Sequence, residues 1–199
     1  MSDKYGVGQD PYCYPDSTTL INLLGIKQDQ ALEEAEQALS SLAAQQLEWS
    51  PPPYNFDYLA AIHHCLFADI YPWAGQLRTV DISKGDTRFC TASRIQPEAV
   101  KLFTGLQYAN FYADLTRYDL VAALANFYCE LNVIHPFRDG NGRAQRILFE
   151  HLIIHCGYTI DWSVITRGEW IQANIEGYHG HLDLLVRIFD RCVGEKIAN

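Results

Sequence analysis

The sequence predicts an all-α domain that carries one small β-hairpin. Apolar residues recur at helical spacing in most of the chain, and most regularly in residues 118–134. One stretch, residues 77–90, departs from this spacing and has a Gly-Asp pair in its middle. With 199 residues and 48% apolar content, the chain has the length for one domain with a buried core.

The predicted elements run in a simple order. Residues 1–16 contain Gly6, Gly8, Pro11 and Pro15, so this segment is predicted to be irregular and to pack on the domain through its tyrosines. Three consecutive prolines from Pro51 end the first helix. The apolar spacing places helices at residues 29–47, 56–71, 98–112, 118–134, 142–156, 167–176 and 181–193.

The hairpin is predicted around residues 77–90. Val80 and Ile82 are placed on its first strand, and the pair Gly85-Asp86 supplies the turn before Phe89.

Composition excludes several classes of function. The net charge of −9 argues against a nucleic-acid partner, which would call for a basic face. No apolar run approaches the length of a membrane span, and the first twenty residues lack the features of a signal peptide. The six cysteines are scattered, and no Cys-x-x-Cys pair occurs, so we interpret them as free thiols. The protein is therefore expected to be cytoplasmic.

The residues of chemical interest lie in one stretch, His-Pro-Phe-Arg-Asp-Gly-Asn-Gly-Arg-Ala-Gln-Arg, at positions 135–146. A glycine-rich loop that opens into a helix directs backbone N–H groups and the positive end of the helix dipole toward an anion. Arg143 and Arg146 lie three residues apart on the first turn, and guanidinium groups suit phosphate oxygens. Asp139 can offer an oxygen to a divalent cation, and His135 can accept a proton. The stretch predicts a nucleotide-phosphate site with a general base.

Two histidine patterns were weighed against this site. His151 and His155 lie four apart on a predicted helix, a spacing that can bind zinc, but Glu150 precedes them and no third ligand is near in the sequence. We interpret them as partly exposed residues on a helix face. His63 and His64 are adjacent, cannot share a helix face, and are interpreted as ordinary. The sequence has no Gly-x-x-x-x-Gly-Lys-Ser/Thr motif of the P-loop type.

The stretch at 135–146 resembles the signature of the Fic family, His-x-Phe-x-Asp/Glu-Gly-Asn-Gly-Arg-x-x-Arg, at every fixed position. The resemblance implies a Fic/Fido helical domain with a β-hairpin flap over residues 55–191, an N-terminal segment over 1–54 and a C-terminal tail over 192–199. It also implies transfer of AMP from ATP to a Tyr, Thr or Ser hydroxyl of a target protein that the flap binds.

The family roles can be carried over residue by residue. His135 would be the general base, and Asp139 would hold Mg²⁺ against the phosphates of ATP. Arg143 would support the β-phosphate, and Arg146 would bind the γ-phosphate. The remaining nucleotide-binding positions that the resemblance implies are Gly140, Asn141 and Gly142 in the anion hole, with the Asn141 amide donating to the α-phosphate, then Arg138 in the loop, Lys84 and Gly85 at the flap tip, and Asn174 toward the adenosine.

Regulation is a further expectation from the resemblance. Many Fic proteins carry an inhibitory Ser/Thr-x-x-x-Glu-Gly/Asn motif, and no Ser or Thr of this sequence is followed four positions later by glutamate. The chain thus resembles class I, whose inhibitor is a separate small antitoxin-like protein and whose known targets include type II topoisomerase subunits. Alternatives remain open: kinase activity, although Doc-type kinases have lysine where this chain has Gly142, phosphocholine transfer, or a binding module without catalysis.

Overall fold

The computed structural model describes residues 10–198 and is mostly helical. This confirms the predicted all-α class with a small hairpin. The helices are α1 (Asp29–Ala44), α2 (Phe56–Phe67), α3 (Ile95–Tyr108), α4 (Arg117–Ile134), α5 (Asn141–His155), α6 (Arg167–Tyr178) and α7 (Asp183–Cys192).

Helices α2 and α3 each end four residues earlier than predicted. Helix α2 stops at Phe67, and residues 68–75 form turns that end at Gly75, whose φ is +79°. Helix α3 stops at Tyr108, because Asn110, Phe111 and Tyr112 all have positive φ values, which no α-helix can contain. Both stops depend on packing that apolar spacing does not encode.

The predicted hairpin is present and shorter than expected. Its strands are β1 (Ser83–Lys84) and β2 (Thr87–Arg88), antiparallel and joined by the predicted two-residue turn, in which Gly85 has a φ of +56°. The placement of Val80 and Ile82 on the first strand was wrong, because β1 begins at Ser83. Ile82 keeps one cross-hairpin bond, from the Phe89 N–H to its carbonyl at 3.2 Å, whereas the Val80 carbonyl accepts from the Arg78 side chain.

Two further strands, which were not predicted, form a second two-stranded antiparallel sheet: β3 (Tyr158–Ile160) and β4 (Val193–Lys196). Its second strand occupies half of the predicted C-terminal tail. The strands are far apart in the sequence, so no turn signal connects them. Gly194 lies so close to Thr159 that a side chain at this position would overlap the threonine hydroxyl.

The described residues form two compact units. The first contains the described chain up to Trp49, then Asp57–Ile95 and His135–Ile147. Within it, the irregular segment after Asp10 packs as predicted, since the Tyr12 ring meets Trp73 edge to face at 5.6 Å. The predictions for Tyr5, Gly6 and Gly8 lie outside the described residues.

The second unit contains Ser50–Phe56, Gln96–Ile134 and the described chain from Leu148 onward. Its core is aromatic: Phe127, Phe149 and Phe189 are buried, and the Phe149 ring contacts both of the others. Helix α6 begins with a capping box, in which the Thr166 hydroxyl accepts from the Glu169 N–H and the Glu169 carboxylate accepts from the Thr166 N–H.

Candidate functional site

The loop of residues 135–140 precedes α5 and is closed by the first residue of that helix. Asn141 is buried, and its side-chain oxygen accepts from the Phe137 N–H at 2.9 Å, while its amide group donates to the Phe137 carbonyl at 2.8 Å. The side-chain amide therefore fixes the backbone of the loop, and its assignment as a donor to the α-phosphate was wrong. The Asn141 contribution to an anion site is its backbone N–H at the helix start.

Phe137 anchors the loop, as expected from its apolar side chain between polar neighbours. It is fully buried, and its ring stacks on the imidazole of His63 with the centroids 3.9 Å apart. The loop thus rests on a ring pair in the core of the first unit.

His63 supports the loop from below, so its interpretation as an ordinary histidine was wrong. The side chain is fully buried, and its Nδ1 accepts from the Gly75 N–H at 2.9 Å. Because Nδ1 is an acceptor, Nε2 carries the proton and donates to the Asp139 carbonyl at 2.9 Å. Burial lowers the pKa of His63 from 6.5 to about 4, which keeps the ring neutral. The apolar spacing of α2 was the sequence signal for this role, because His63 lies four residues after Leu59 and four residues before Phe67.

Gly140 is the loop position at which glycine is required. Its φ is +76°, in the left-handed region, and a Cβ built there would lie 2.5 Å from Cζ of Phe67 and 3.0 Å from Nε2 of His63. Gly142 differs, because a Cβ there would meet nothing within 4 Å.

Asp139 lies half-buried at the mouth of the loop. Its Oδ1 accepts from the Gly140 N–H at 2.6 Å, which fixes the carboxylate relative to the loop backbone. Among residues 10–198, no cluster of three His, Cys, Asp or Glu side chains could hold a metal ion. A cation at Asp139 would need most of its oxygen ligands from a bound phosphate compound and from water.

The two arginines of the motif differ in their surroundings. Arg146 is exposed on the first two turns of α5. Arg143 is half-buried, donates to the Glu36 carboxylate of α1 and to the Ser40 hydroxyl at 3.1 Å, and lies 4.6 Å from the centre of the Phe67 ring. A phosphate at Arg143 would have to compete with these contacts.

Glu36 is itself held by a second donor, the Tyr71 hydroxyl. Burial, and then the charge of Glu36, raise the pKa of Tyr71 well above its usual range, so that the hydroxyl stays protonated and donates. Arg143, Glu36 and Tyr71 form a polar cluster that the motif alone did not indicate.

Arg138 does not face a ligand, contrary to the prediction that it binds the nucleotide. Its side chain is fully buried, its Nε donates to the Asp10 carboxylate at 2.9 Å, and its Nη2 forms an ion pair with the same carboxylate at 2.7 Å. Arg138 is therefore a buried structural residue, and its charge is stabilised by the carboxylate of Asp10.

His135 has an unusual backbone and a stacked ring. Its φ is +47°, in the left-handed region that residues with a side chain rarely adopt. The imidazole stacks on Phe89 with centroids 3.8 Å apart and planes 18° apart, and its carbonyl accepts from Nε of Arg78 at 2.8 Å. Neither Phe89 nor Arg78 had been predicted as a site residue.

The other predicted positions lie at the hairpin tip and in the second unit. Lys84 and Gly85 are exposed at the hairpin tip. Asn174 lies in the second unit, where its side chain donates to the Trp170 carbonyl at 2.7 Å and accepts from Asn132 at 2.8 Å. His151 is buried, not partly exposed as expected, and burial lowers its pKa.

The sequence is similar to a known protein family and to named relatives. The model of the Fic/DOC family matches residues 53–153. A Salmonella typhimurium protein named "Probable protein adenylyltransferase Fic" is 45% identical over 195 residues, which are 98% of each chain.

Solved structures of Bartonella effector proteins have the same fold. The N-terminal Fic domain of a VirB-translocated Bep effector from Bartonella quintana, with bound ADP, is 33% identical, with a TM-score of 0.85 over 93% of this chain and 95% of that one. The BepC protein of Bartonella tribocorum, with bound AMPPNP, is 30% identical, with a TM-score of 0.85 over 93% of this chain and 97% of that one.

Within residues 10–198, the helices lack the length and apolar character needed to cross a bilayer. The matched family model includes the whole loop and the first turns of α5, where the structure places His135, Asp139 and Arg146 together in one unit. The chain is thus an enzyme of the Fic/DOC family, similar to protein adenylyltransferases over nearly its entire length.

Proposed function

We propose that this protein transfers AMP from ATP to a hydroxyl side chain of a target protein. The observation that carries the proposal is the arrangement of the loop: His135, the Asp139 carboxylate and the start of α5 follow one another on a backbone fixed by buried partners. Such a fixed array suits phosphoryl-group chemistry, in which catalysis consists of positioning and charge stabilisation.

The proposed reaction is a substitution at the α-phosphorus. The hydroxyl oxygen of the target forms a bond to the α-phosphorus, and the bond from that phosphorus to the bridging oxygen of the β-phosphate breaks. The hydroxyl proton passes to the imidazole of His135, and pyrophosphate leaves with the bonding electrons. The product is an AMP phosphodiester on a Tyr, Thr or Ser side chain.

The phosphates would be bound at the start of α5. The backbone N–H groups of Asn141 and Gly142 belong to the first helical turn, where donors face an anion, and exposed Arg146 offers its guanidinium to the γ-phosphate. We assign a weaker phosphate role to Arg143, because Glu36 already binds it.

Asp139 fits the role of a Mg²⁺ ligand. It supplies an oxygen whose position the Gly140 N–H fixes, and a hard cation prefers such oxygens. When bound, the cation would offset the negative charge that develops on the departing pyrophosphate. Asp139→Asn should lower the Mg²⁺-dependent rate of AMP transfer, because a neutral amide is a poor ligand for a hard cation. A Mg²⁺ titration of the rate measures this, and an unchanged curve would mean that Asp139 is not a metal ligand.

The activity can be tested with ATP labelled at either end. The full chain is incubated in native lysate with ATP labelled at the α-phosphorus or at the γ-phosphorus. Compared with lysate that lacks the chain, additional protein-bound label from the α-position alone supports AMP transfer, and additional label from the γ-position indicates a kinase. Label from neither position means another donor or a binding module and contradicts the proposal.

His135→Ala tests the base. We expect it to abolish labelling while ATP binding persists, because the base acts on the hydroxyl and not on the nucleotide. His181→Ala is a matched control, since His181 is exposed in the second unit. Transfer retained by His135→Ala would disprove the assignment of the base.

We also propose that inhibition comes from a separate small protein, as in a toxin–antitoxin pair. Two observations support this: the sequence lacks a Ser/Thr-x-x-x-Glu motif, and Arg146 is exposed, so a partner carboxylate can reach it. Among the described contacts, the motif arginines Arg143 and Arg138 are bound by the chain's own carboxylates, Glu36 and Asp10.

The partner proposal predicts toxicity when the chain is expressed alone and tolerance when the partner is present. In the complex, a glutamate of the partner would pair with Arg146 in the place of the γ-phosphate. Replacing that glutamate by glycine should restore labelling while the two proteins stay bound. An inert isolated chain would contradict the proposal, and type II topoisomerase subunits are the first targets to test for label.

A further inference from the structure

Arg78 is a buried arginine whose side chain binds backbone carbonyl groups. The residue is 2% exposed. Its Nε donates to the His135 carbonyl at 2.8 Å, its Nη1 to the Val80 carbonyl at 2.6 Å and its Nη2 to the Cys90 carbonyl at 2.5 Å. Its own N–H donates to the Pro136 carbonyl at 2.9 Å. One residue thus holds two consecutive carbonyls of the functional loop.

The other two carbonyls flank the hairpin strands on either side. Val80 precedes β1 and Cys90 follows β2, so the guanidinium joins both ends of the hairpin to His135. A planar guanidinium with donors in fixed directions can reach three diverging acceptors, whereas the single nitrogen of a lysine cannot.

Phe89 makes a second connection at the same place. It is the neighbour of Cys90, is buried, and stacks on the His135 ring at 3.8 Å. The orientation of the imidazole is therefore set by a residue of the hairpin, and that residue is in turn held by the bond from Arg78 to Cys90.

The backbone conformation of His135 needs to be held by other residues. Its left-handed φ of +47° is unfavourable for a residue with a side chain and persists only where the surroundings enforce it. The bonds from Arg78 to the carbonyls of His135 and Pro136 supply that enforcement.

We propose that Arg78, together with Phe89, positions His135 for proton transfer and couples its geometry to the hairpin. Arg78 is a positioning residue, since it acts through His135 and not on the substrate. The inference rests on the proposed function, which takes His135 as the base. It implies that substituting Arg78 or Phe89 slows AMP transfer without weakening ATP binding. The reason is that the proposed phosphate contacts are made after Asp139 in the sequence, at the start of α5.

The test compares Arg78→Lys with wild type in three measurements on the full chain. The rate of label transfer from α-labelled ATP in native lysate should fall about 100-fold, the typical effect of a displacement of about 1 Å in a catalytic group. The affinity for α,β-methylene ATP, which cannot be cleaved at the scissile position, should be unchanged. The imidazole Hε1 resonance of His135, identified by its loss in His135→Ala, should move downfield as the ring current of Phe89 is lost.

Arg117→Lys is the matched control. Arg117 also donates to two backbone carbonyls, those of Asp190 and Val193, each at 2.7 Å, but it lies in the second unit. It should leave the transfer rate, the analogue affinity and the His135 resonance as in wild type.

Several outcomes decide the matter. A folded Arg78→Lys with the wild-type rate and an unmoved resonance would overturn the proposal, as would a loss of analogue affinity with an unchanged maximal rate. If Arg78→Lys does not fold, Phe89→Leu takes its place: a lower rate at unchanged analogue affinity supports the proposal, and a wild-type rate refutes it. If His135→Ala retains transfer, the proposed base is wrong, and the resonance still reports whether Arg78 holds His135.

Discussion

Gly140→Ala is the substitution for which the structure gives the most definite expectation. Two independent costs arise, one in the backbone and one in packing. A left-handed φ of +76° costs a residue with a Cβ about 1–2 kcal/mol. The new methyl group would also lie 2.5 Å from Cζ of Phe67, and overpacking of this kind typically costs about 1–3 kcal/mol. The free energy of unfolding should therefore fall by roughly 2–5 kcal/mol.

Urea denaturation followed by circular dichroism measures this change, with the denaturant slope compared between variants. Gly142→Ala is the matched control, because that glycine is helical and a Cβ there meets nothing within 4 Å. It should change stability by no more than about 1 kcal/mol, in the stabilising direction. In the double variant Gly140→Ala/Phe67→Leu, the packing cost should be relieved while the backbone cost remains. A Gly140→Ala variant as stable as Gly142→Ala would refute the argument.

Three further predictions concern stability. Asp10→Asn leaves the buried guanidinium of Arg138 without its counter-charge and should lower the free energy of unfolding by about 3–5 kcal/mol in urea melts; an unchanged midpoint would mean that the pair is not buried in solution. His63 has a pKa of about 4 when folded and 6.5 when unfolded, so the unfolded chain binds more protons between these values and stability should fall by about 3 kcal/mol as pH drops through this window. His63→Phe should remove that part of the pH dependence, and an equally steep profile would count against the shift. Thr166→Ala removes the cap of α6 and should cost about 1 kcal/mol, seen as a melting temperature lower by about 2–4 °C, whereas Thr166→Ser should stay near wild type.

The sequence sufficed for the parts of the fold that depend on local pattern. The helices coincide closely with the predicted ranges, because apolar spacing of about 3.6 residues reports directly which face is buried. The Gly85-Asp86 turn was equally local. The pairing of β3 with β4 is not local, because α6 and α7 separate the two strands, which meet only after these helices are in place. The domain limits at residues 54 and 191 stay a prediction.

The site divides in the same way. The motif identified the loop, but its residues do not all face a ligand. The resemblance assigned Arg138 to the nucleotide, yet its partner Asp10 lies 128 residues away in the sequence. Glu36, which binds Arg143, and Arg78, which binds His135, are also contributed from distant positions. Spacing within a motif cannot show such partners, because tertiary packing decides which side of the loop each side chain takes.

The discontinuous first unit has a consequence for the order in which the protein can be completed during synthesis. Its last segment is His135–Ile147, and the preceding segment ends at Ile95. A growing chain that stops before His135 already contains His63 and Arg78, but it lacks the Asp139, His135 and Pro136 carbonyls that they bind. Burying these donors without acceptors is unfavourable. We therefore expect the first unit to complete its packing only after the loop has emerged from the ribosome, and we expect chains that terminate before His135 to be more readily cleaved by proteases.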